Sequence, residues 1–125
     1  MNILYVEDDP TVMAVAKSLF MRTEHSIIVC PTVQSAKVAL TQCSAQIDVV
    51  ITDIVLPGET GIDLLLFMSD RQIDIPVFVV SGFVMQHELD LKKYIDSGRV
   101  LRVYNKPYGV SDIITGLEEL AKINA

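Results

Sequence analysis

The sequence predicts an α/β fold in which five parallel strands form one doubly wound sheet. Short apolar runs alternate along the chain with segments of helical period, an order typical of a parallel sheet with helices on both faces. The runs are apolar throughout rather than alternating with polar residues, which indicates strands buried on both faces. Right-handed crossovers between such strands then give a doubly wound arrangement.

Each predicted strand is a short, β-rich apolar run. In chain order these runs are Ile3–Val6, Ile27–Cys30, Val49–Thr52, Pro76–Ser81 and Val100–Tyr104. Because the carboxyl ends of parallel strands meet at one edge of the sheet, the residues that follow these runs should lie close together.

Each predicted helix repeats its apolar residues at helical spacing. The first helix, for example, places Val12, Val15, Ala16, Leu19 and Phe20 on one face. In chain order the predicted helices are Pro10–Arg22, Val33–Gln42, Gly61–Ser69, Met85–Ile95 and Val110–Ile123.

Composition bounds the class of protein. The chain has 125 residues, half of them hydrophobic, so we expect residues 1–125 to form one domain with its own core. The formal net charge of −6 argues against direct contact with nucleic acid. We see no secretory signal and no apolar run long enough to span a membrane, and therefore expect a cytoplasmic protein. Cys30 and Cys43 lack metal-type spacing and are expected to be reduced, buried thiols.

Acidic residues follow two of the strands. Glu7, Asp8 and Asp9 come after the first strand, and Asp53 comes after the third. Crowded carboxylates repel one another unless a cation lies among them, and Mg²⁺ suits a site with one or two carboxylates, water and a phosphate. Asp9, which precedes Pro10, is also a good helix N-cap. Asp53 taken alone is better interpreted as a solvated residue at a strand end or as a turn former, but Pro57-Gly58 and Gly61 form a loop that would hold it rigidly at the sheet edge.

A hydroxyl and an amine lie at the ends of the fourth and fifth strands. Ser81-Gly82 ends the fourth strand and Lys106-Pro107 ends the fifth. Proline holds the residue before it in extended geometry, so Lys106 should point towards the acidic edge. Ser81 could donate a hydrogen bond to an anionic oxygen. Taken alone, Lys106 would be interpreted as an ordinary surface lysine and Ser81 as a serine in a turn.

Four motifs occur in a characteristic order along the chain: Ile-Leu-Tyr-Val-Glu-Asp-Asp-Pro (residues 3–10), Asp53 with Leu56-Pro57 and Gly61, Ser81-Gly82, and Lys106-Pro107. In this order they resemble bacterial response regulator receiver domains, which have a flavodoxin-like fold. The resemblance implies that Asp53 accepts a phosphoryl group and that Mg²⁺ is the cofactor. It implies Asp8, Asp53, Glu7 and the backbone carbonyl of Val55 as metal ligands, with Lys106 and Ser81 on the phosphoryl group.

The resemblance also implies partners. The phosphoryl donor would be a sensor histidine kinase or a phosphotransfer protein. The signal would pass to a downstream protein effector or to a fused output domain. The face made by the fourth helix, fifth strand and fifth helix is the family's usual partner surface, which makes a homodimer through that face an expectation. Such a chain is a signalling domain that assists its own phosphorylation and dephosphorylation, rather than an enzyme.

The sequence departs from the family pattern at several positions. The family usually has an aromatic residue three positions before the lysine, where this chain has Val103, with Tyr104 next to it. The segment between Ser81 and Lys106 is a few residues longer than is common. Val55 and Phe83 are apolar at positions that influence how fast the family loses phosphate. These departures leave the phosphoryl lifetime and the roles of Val103 and Tyr104 in switching open.

Other functions fit parts of the pattern. One alternative is a docking domain that acts without phosphorylation, although all five site positions carry competent residue types. A phosphatase with an aspartate nucleophile would usually have a second aspartate where Val55 stands. A nucleotide or flavin binder would need a Gly-rich or Ser/Thr-rich loop after the first strand, where this chain has Glu-Asp-Asp. Whether the receiver stands alone or belongs to a longer regulator is also open.

Overall fold

The structure, a computed structural model, describes residues 1–81, 88–105 and 109–123, without the side chains of Ser81 and Glu88. Strands and helices alternate along the chain as the sequence predicts. They are β1 (Asn2–Val6), α1 (Pro10–Phe20), β2 (Ser26–Cys30), α2 (Val33–Cys43), β3 (Val49–Asp53), α3 (Gly61–Asp70), β4 (Val77–Ser81), α4 (Glu88–Asp96), β5 (Val100–Asn105) and α5 (Val110–Ile123).

The predicted elements are confirmed, with differences at their ends. The first helix ends at Phe20, two residues before the predicted Arg22. Helix α4 runs from Glu88 to Asp96, and the start predicted for it at Met85 lies outside the described residues. A short 3₁₀ turn at Ser44–Gln46, which the sequence analysis did not predict, extends α2.

The five strands form one parallel sheet in the order β2-β1-β3-β4-β5. The strand order reverses at β1, whose neighbours are β2 on one side and β3 on the other. In open sheets of this kind, ligands bind at the carboxyl ends of the strands that flank this reversal. The residues that follow β1 and β3 are therefore the expected ligand-binding residues.

Both faces of the sheet are covered by helices. Leu4 and Val6 point to the face covered by α2, α3 and α4, whereas Ile3 and Tyr5 point to the face covered by α1 and α5. This alternation is that of any β-strand, and here both sets are fully buried. Burial on both faces explains why the strands appear in the sequence as continuous apolar runs.

Local hydrogen bonds set where the helices begin. The Asp9 carboxylate accepts from the backbone N–H groups of Thr11 at 2.8 Å and Val12 at 3.4 Å, with Pro10 in the first turn, so the capping role predicted for Asp9 is confirmed. Helix α3 begins with a capping box, in which Thr60 and Asp63 each bond to the other's backbone N–H. Side-chain caps therefore fix the first residues of both helices that follow the acidic strand ends.

The pairing of β4 with β5 contains an irregularity. Val77 pairs with Val100 but Phe78 pairs with Arg102, so Leu101 is an extra residue in β5. Beyond this point the register is regular, with Val79 opposite Val103.

The two cysteines differ in burial. Cys30 is buried as expected, but Cys43 is only partly buried because it lies at the end of α2. Burial raises the pKa of the Cys30 thiol. None of the helices in the described ranges combines the length and apolar character needed to cross a bilayer.

Candidate functional site

Three carboxylates meet at the carboxyl edge of the sheet. Oxygen atoms of Glu7, Asp8 and Asp53 all lie within 4.8 Å of one another. Glu7 and Asp53 are almost fully buried, at 1% and 3% exposed, whereas Asp8 is exposed. The sequence prediction that these residues meet is confirmed, and the cluster opens to solvent through Asp8.

The end of β1 places Glu7 and Asp8. The backbone N–H of Glu7 donates to the carbonyl of Cys30 at 3.1 Å, which continues the pairing of β1 with β2 by one residue. The Glu7 carboxylate in turn accepts from the backbone N–H of Asp9 at 3.1 Å. Because Asp9 caps α1, the three consecutive acidic residues have different environments, and Asp8 is the one that presents its carboxylate to solvent at the cluster.

The end of β3 places Asp53. Asp53 is the last residue of the strand and pairs with Val80 of β4. One of its carboxylate oxygens accepts from the backbone N–H of Val55 at 3.3 Å, and its backbone oxygen accepts from the Thr52 hydroxyl at 2.8 Å. The buried carboxylate at the end of the strand thus has a backbone hydrogen-bond donor in the loop that follows.

The loop between β3 and α3, residues 54–60, is closed at its base. The N–H of Gly61 donates to the carbonyl of Ile54 at 2.8 Å, which brings the two ends of the loop together. A Cβ atom at residue 61 would lie 2.3 Å from the backbone oxygen of Asp53, so only glycine permits this approach. Gly58, in the middle of the loop, has a φ of +79°, which also favours glycine.

Two features of this loop were not predicted from the sequence. The Thr60-x-x-Asp63 capping box carries a recognisable short signal, a threonine followed three residues later by an acid. The ion pair between Lys37 of α2 and Glu59, with Nζ and Oε2 2.5 Å apart, carries no such signal because its partners lie far apart in the sequence.

The donor set fits a hard divalent cation. Carboxylates this close together repel one another unless a cation lies among them, and burial of two of them increases the cost of that repulsion. Carboxylate oxygens with access to water are the ligands that Mg²⁺ prefers in proteins. Glu7, Asp8 and Asp53 could therefore hold Mg²⁺.

The remaining predicted site residues are placed only in part. Ser81 ends β4, one residue beyond the partner of Asp53, so its backbone lies at the same edge of the sheet. The side chain of Ser81 and the whole of Lys106 lie outside the described part of the chain. Val55 lies two residues after Asp53 and is 56% exposed.

Known response regulators resemble this chain in sequence. Residues 3–118 match the family model described as the response regulator receiver domain. Response regulator SaeR of Staphylococcus epidermidis is 29% identical over 87 residues, which cover 70% of this chain and 37% of that protein. The two-component response regulator ORR21 of Oryza sativa subsp. indica is 31% identical over 82 residues, 66% of this chain and 12% of that protein. The chain thus spans well under half the length of either relative.

Solved structures resemble the fold over nearly its whole length. The receiver domain of the Francisella response regulator 1452 superposes with a TM-score of 0.83 at 22% identity, covering 99% of this chain and 98% of the other. A CheY-like receiver domain protein from Methanospirillum hungatei JF-1 gives a TM-score of 0.80 at 18% identity, with 94% and 90% of the two chains covered. At these identities the likeness shows the doubly wound fold.

Proposed function

This chain belongs to the response regulator receiver domain family, and on that basis we propose that Asp53 accepts a phosphoryl group in a Mg²⁺-dependent reaction. The observation that carries the proposal is the meeting of Glu7, Asp8 and Asp53 within 4.8 Å, where the strand order reverses. In the proposed reaction the Asp53 carboxylate attacks the phosphorus of a phosphohistidine, the P–N bond breaks, and an acyl phosphate forms.

Each site residue has a proposed part in this reaction. Asp8 and Asp53 would bind Mg²⁺ directly, Glu7 through water, and the Val55 backbone carbonyl would complete the protein ligands. Mg²⁺ so bound would offset the negative charge of the carboxylates and of the phosphoryl oxygens. Lys106 would add a second positive charge beside the phosphoryl group, and the Ser81 hydroxyl would donate a hydrogen bond to it. Positioning and charge stabilisation account for most of the catalysis in transfers of this kind.

The proposal extends to partners and architecture. We propose that residues 1–125 form one receiver domain that receives phosphate from a sensor histidine kinase or phosphotransfer protein in the cytoplasm. Its output would be a protein effector or a fused output domain, with a homodimer through the α4–β5–α5 face. The net charge of −6 favours protein partners over direct nucleic-acid contact. In this role the domain assists its own phosphorylation and dephosphorylation and acts on no separate substrate.

Intact-protein mass spectrometry after treatment with acetyl phosphate and Mg²⁺ tests the phosphoacceptor. The parent protein should gain one phosphoryl group, and Asp53→Asn should gain none. Asp74→Asn is a matched control, because Asp74 is an exposed aspartate on the loop that precedes β4, at the opposite edge of the sheet. Normal labelling of Asp53→Asn would overturn the assignment. A parent protein that accepts no phosphate from any donor would favour a docking domain that acts without phosphorylation.

A further inference from the structure

An ion pair joins helix α2 to the loop that follows Asp53. Lys37 Nζ and Glu59 Oε2 lie 2.5 Å apart, and the two side chains are 22% and 42% exposed. The Lys37 ammonium also lies over the ring of Phe67 in α3, 5.4 Å from its centroid. Lys37 thus contacts both the β3–α3 loop and helix α3, and it is less free to move than a typical surface lysine.

This pair holds the second half of the loop, one residue before the capping box of α3. The two ends of residues 54–60 are fixed by the bond from Gly61 to Ile54 and by the capping box of Thr60. Within the described chain, Glu59 is the loop residue whose side chain forms an ion pair with another element. Leu56, which is buried in the core, anchors the chain on one side of Pro57 and Gly58, and Glu59 anchors it on the other side.

The conformation of the loop bears on the geometry of the site. The Val55 N–H donates to the Asp53 carboxylate at 3.3 Å, so movement of the loop changes the surroundings of that carboxylate. The next peptide group carries the Val55 carbonyl that we have proposed as a Mg²⁺ ligand. A rigid loop presents both groups in one arrangement, and a mobile loop must be ordered at a free-energy cost when the metal binds.

We infer that Lys37 and Glu59 are a positioning pair, which holds the β3–α3 loop in the conformation that binds Mg²⁺. The inference rests on the proposed function, since it concerns the affinity of the same site. Neither residue is among the proposed metal ligands. Their effect is exerted through the loop backbone and should therefore depend on the pair rather than on either charge alone.

The sign of the effect separates positioning from long-range electrostatics. If only distant charge mattered, Lys37→Gln would remove a positive charge and strengthen Mg²⁺ binding, whereas Glu59→Gln would weaken it. If the pair positions the loop, both substitutions should weaken binding. Coupled residues also give non-additive effects, so the double variant should be no worse than either single one.

The experiment is a Mg²⁺ titration followed by NMR of the backbone amides of Asp8 and Val55. We expect Lys37→Gln and Glu59→Gln each to raise the Kd about fivefold, and the double variant to match them. The charge-swapped variant, Lys37→Glu with Glu59→Lys, should return the Kd to within about twofold of the parent. Lys92→Gln is the control, because it breaks an exposed ion pair with Asp96 on α4, away from the loop.

Each other outcome has a defined meaning. Unchanged affinity in both single variants, or opposite shifts in the two, would overturn the positioning role while leaving the proposed function intact. A parent protein that binds no Mg²⁺ would overturn the proposed function and the inference with it. Amide hydrogen exchange across residues 55–60 of the metal-free protein gives a second test, since exchange should be faster in both single variants and recover in the charge-swapped one.

Discussion

The Tyr104 hydroxyl occupies the space that a side chain at Gly116 would need. A Cβ atom built on Gly116 would lie 2.2 Å from the Tyr104 oxygen, so the tyrosine packs directly on the backbone of α5. Its ring lies 6.0 Å from that of Phe78 on the same face of the sheet, and burial raises the pKa of its hydroxyl. Val103, the preceding residue, packs on the opposite face with the cluster that contains Leu91 of α4.

The packing of Tyr104 predicts that it does not transmit the signal. Rotation of the ring would have to break its contacts with α5, and the position aligned with the family's aromatic residue is Val103, which is stiff at χ1. We expect fluoroberyllate, a phosphoryl mimic, to shift NMR resonances across residues 82–110 in Tyr104→Ala as in the parent. Tyr104→Phe is the control, because it keeps the ring and removes only the hydroxyl. Disappearance of these shifts in Tyr104→Ala, with the mimic still bound at Asp53, would identify Tyr104 as the switch.

The close approach of Gly61 to Asp53 predicts a sensitive position. In Gly61→Ala the new Cβ would meet the Asp53 backbone oxygen, so the loop or the strand end must shift, at a cost of about 2 kcal/mol in the free energy of unfolding. Mg²⁺ affinity should fall with it. Gly98→Ala is the control, because Gly98 has a φ of +83° with nothing near its Cβ position and should lose about 1 kcal/mol without a change in Mg²⁺ affinity. Urea unfolding and Mg²⁺ titration measure both quantities, and equal Mg²⁺ affinities in the two variants would contradict the prediction.

Asp8 and Lys106 should affect Mg²⁺ binding in opposite directions. Asp8→Ala removes the exposed carboxylate of the cluster and should weaken binding at least tenfold, a loss of about 1.4 kcal/mol or more. Lys106→Ala removes a positive charge that repels a cation, so affinity should stay the same or rise. Chelation of the metal should abolish phosphorylation of the parent. Mg²⁺ titration followed by NMR measures the affinity of both variants. Unchanged affinity in Asp8→Ala would mean that the cluster serves only capping and solvation. A large loss of Mg²⁺ affinity in Lys106→Ala would contradict its phosphoryl-binding role.

His25 should make stability depend on pH. Burial, and then the positive Met1 amine, lower the pKa of His25, partly offset by Glu118 and Glu24, and its Nδ1 lies 3.1 Å from that amine. The folded state thus favours the neutral ring. The stabilisation is present above the ordinary pKa of 6.5 and is lost as the pH falls through the lowered value.

Urea unfolding at about pH 7.5 and about pH 5.5 tests this dependence. The parent should lose more stability between the two pH values than His25→Gln, which cannot be protonated in this range. Carboxylates titrate in both proteins, so the difference between them isolates the histidine. Equal losses in the two proteins would show that His25 does not contribute.

Much of this fold could be predicted from the sequence because its signals are local. The apolar runs that form β1 and β3 are buried on both faces, as their continuous apolar character indicates. The meeting of Asp8 with Asp53 followed from a topological rule: carboxyl ends of neighbouring parallel strands share one edge. The cap formed by Asp9 followed from its place before Pro10.

What could not be predicted depends on distant parts of the chain. The ion pair of Lys37 with Glu59 joins residues whose proximity is set by the packing of α2 beside α3. The extra residue Leu101 has no turn residue or glycine beside it to mark it. Strand alternation predicts that Val103 and Tyr104 point to opposite faces, but only the packing of α4 and α5 determines which helix each one meets.

The extra residue in β5 also bears on how molecules of this protein behave towards one another. β5 is the last strand in the sheet order, and a long, regular outer strand is a template to which a strand of another molecule can add. Leu101 interrupts β5, so that only Arg102 to Asn105 continue in one register with β4. Such an interruption shortens the regular part of the outer strand. Because half of the residues in this chain are hydrophobic, we expect the interruption to slow aggregation through strand addition at β5.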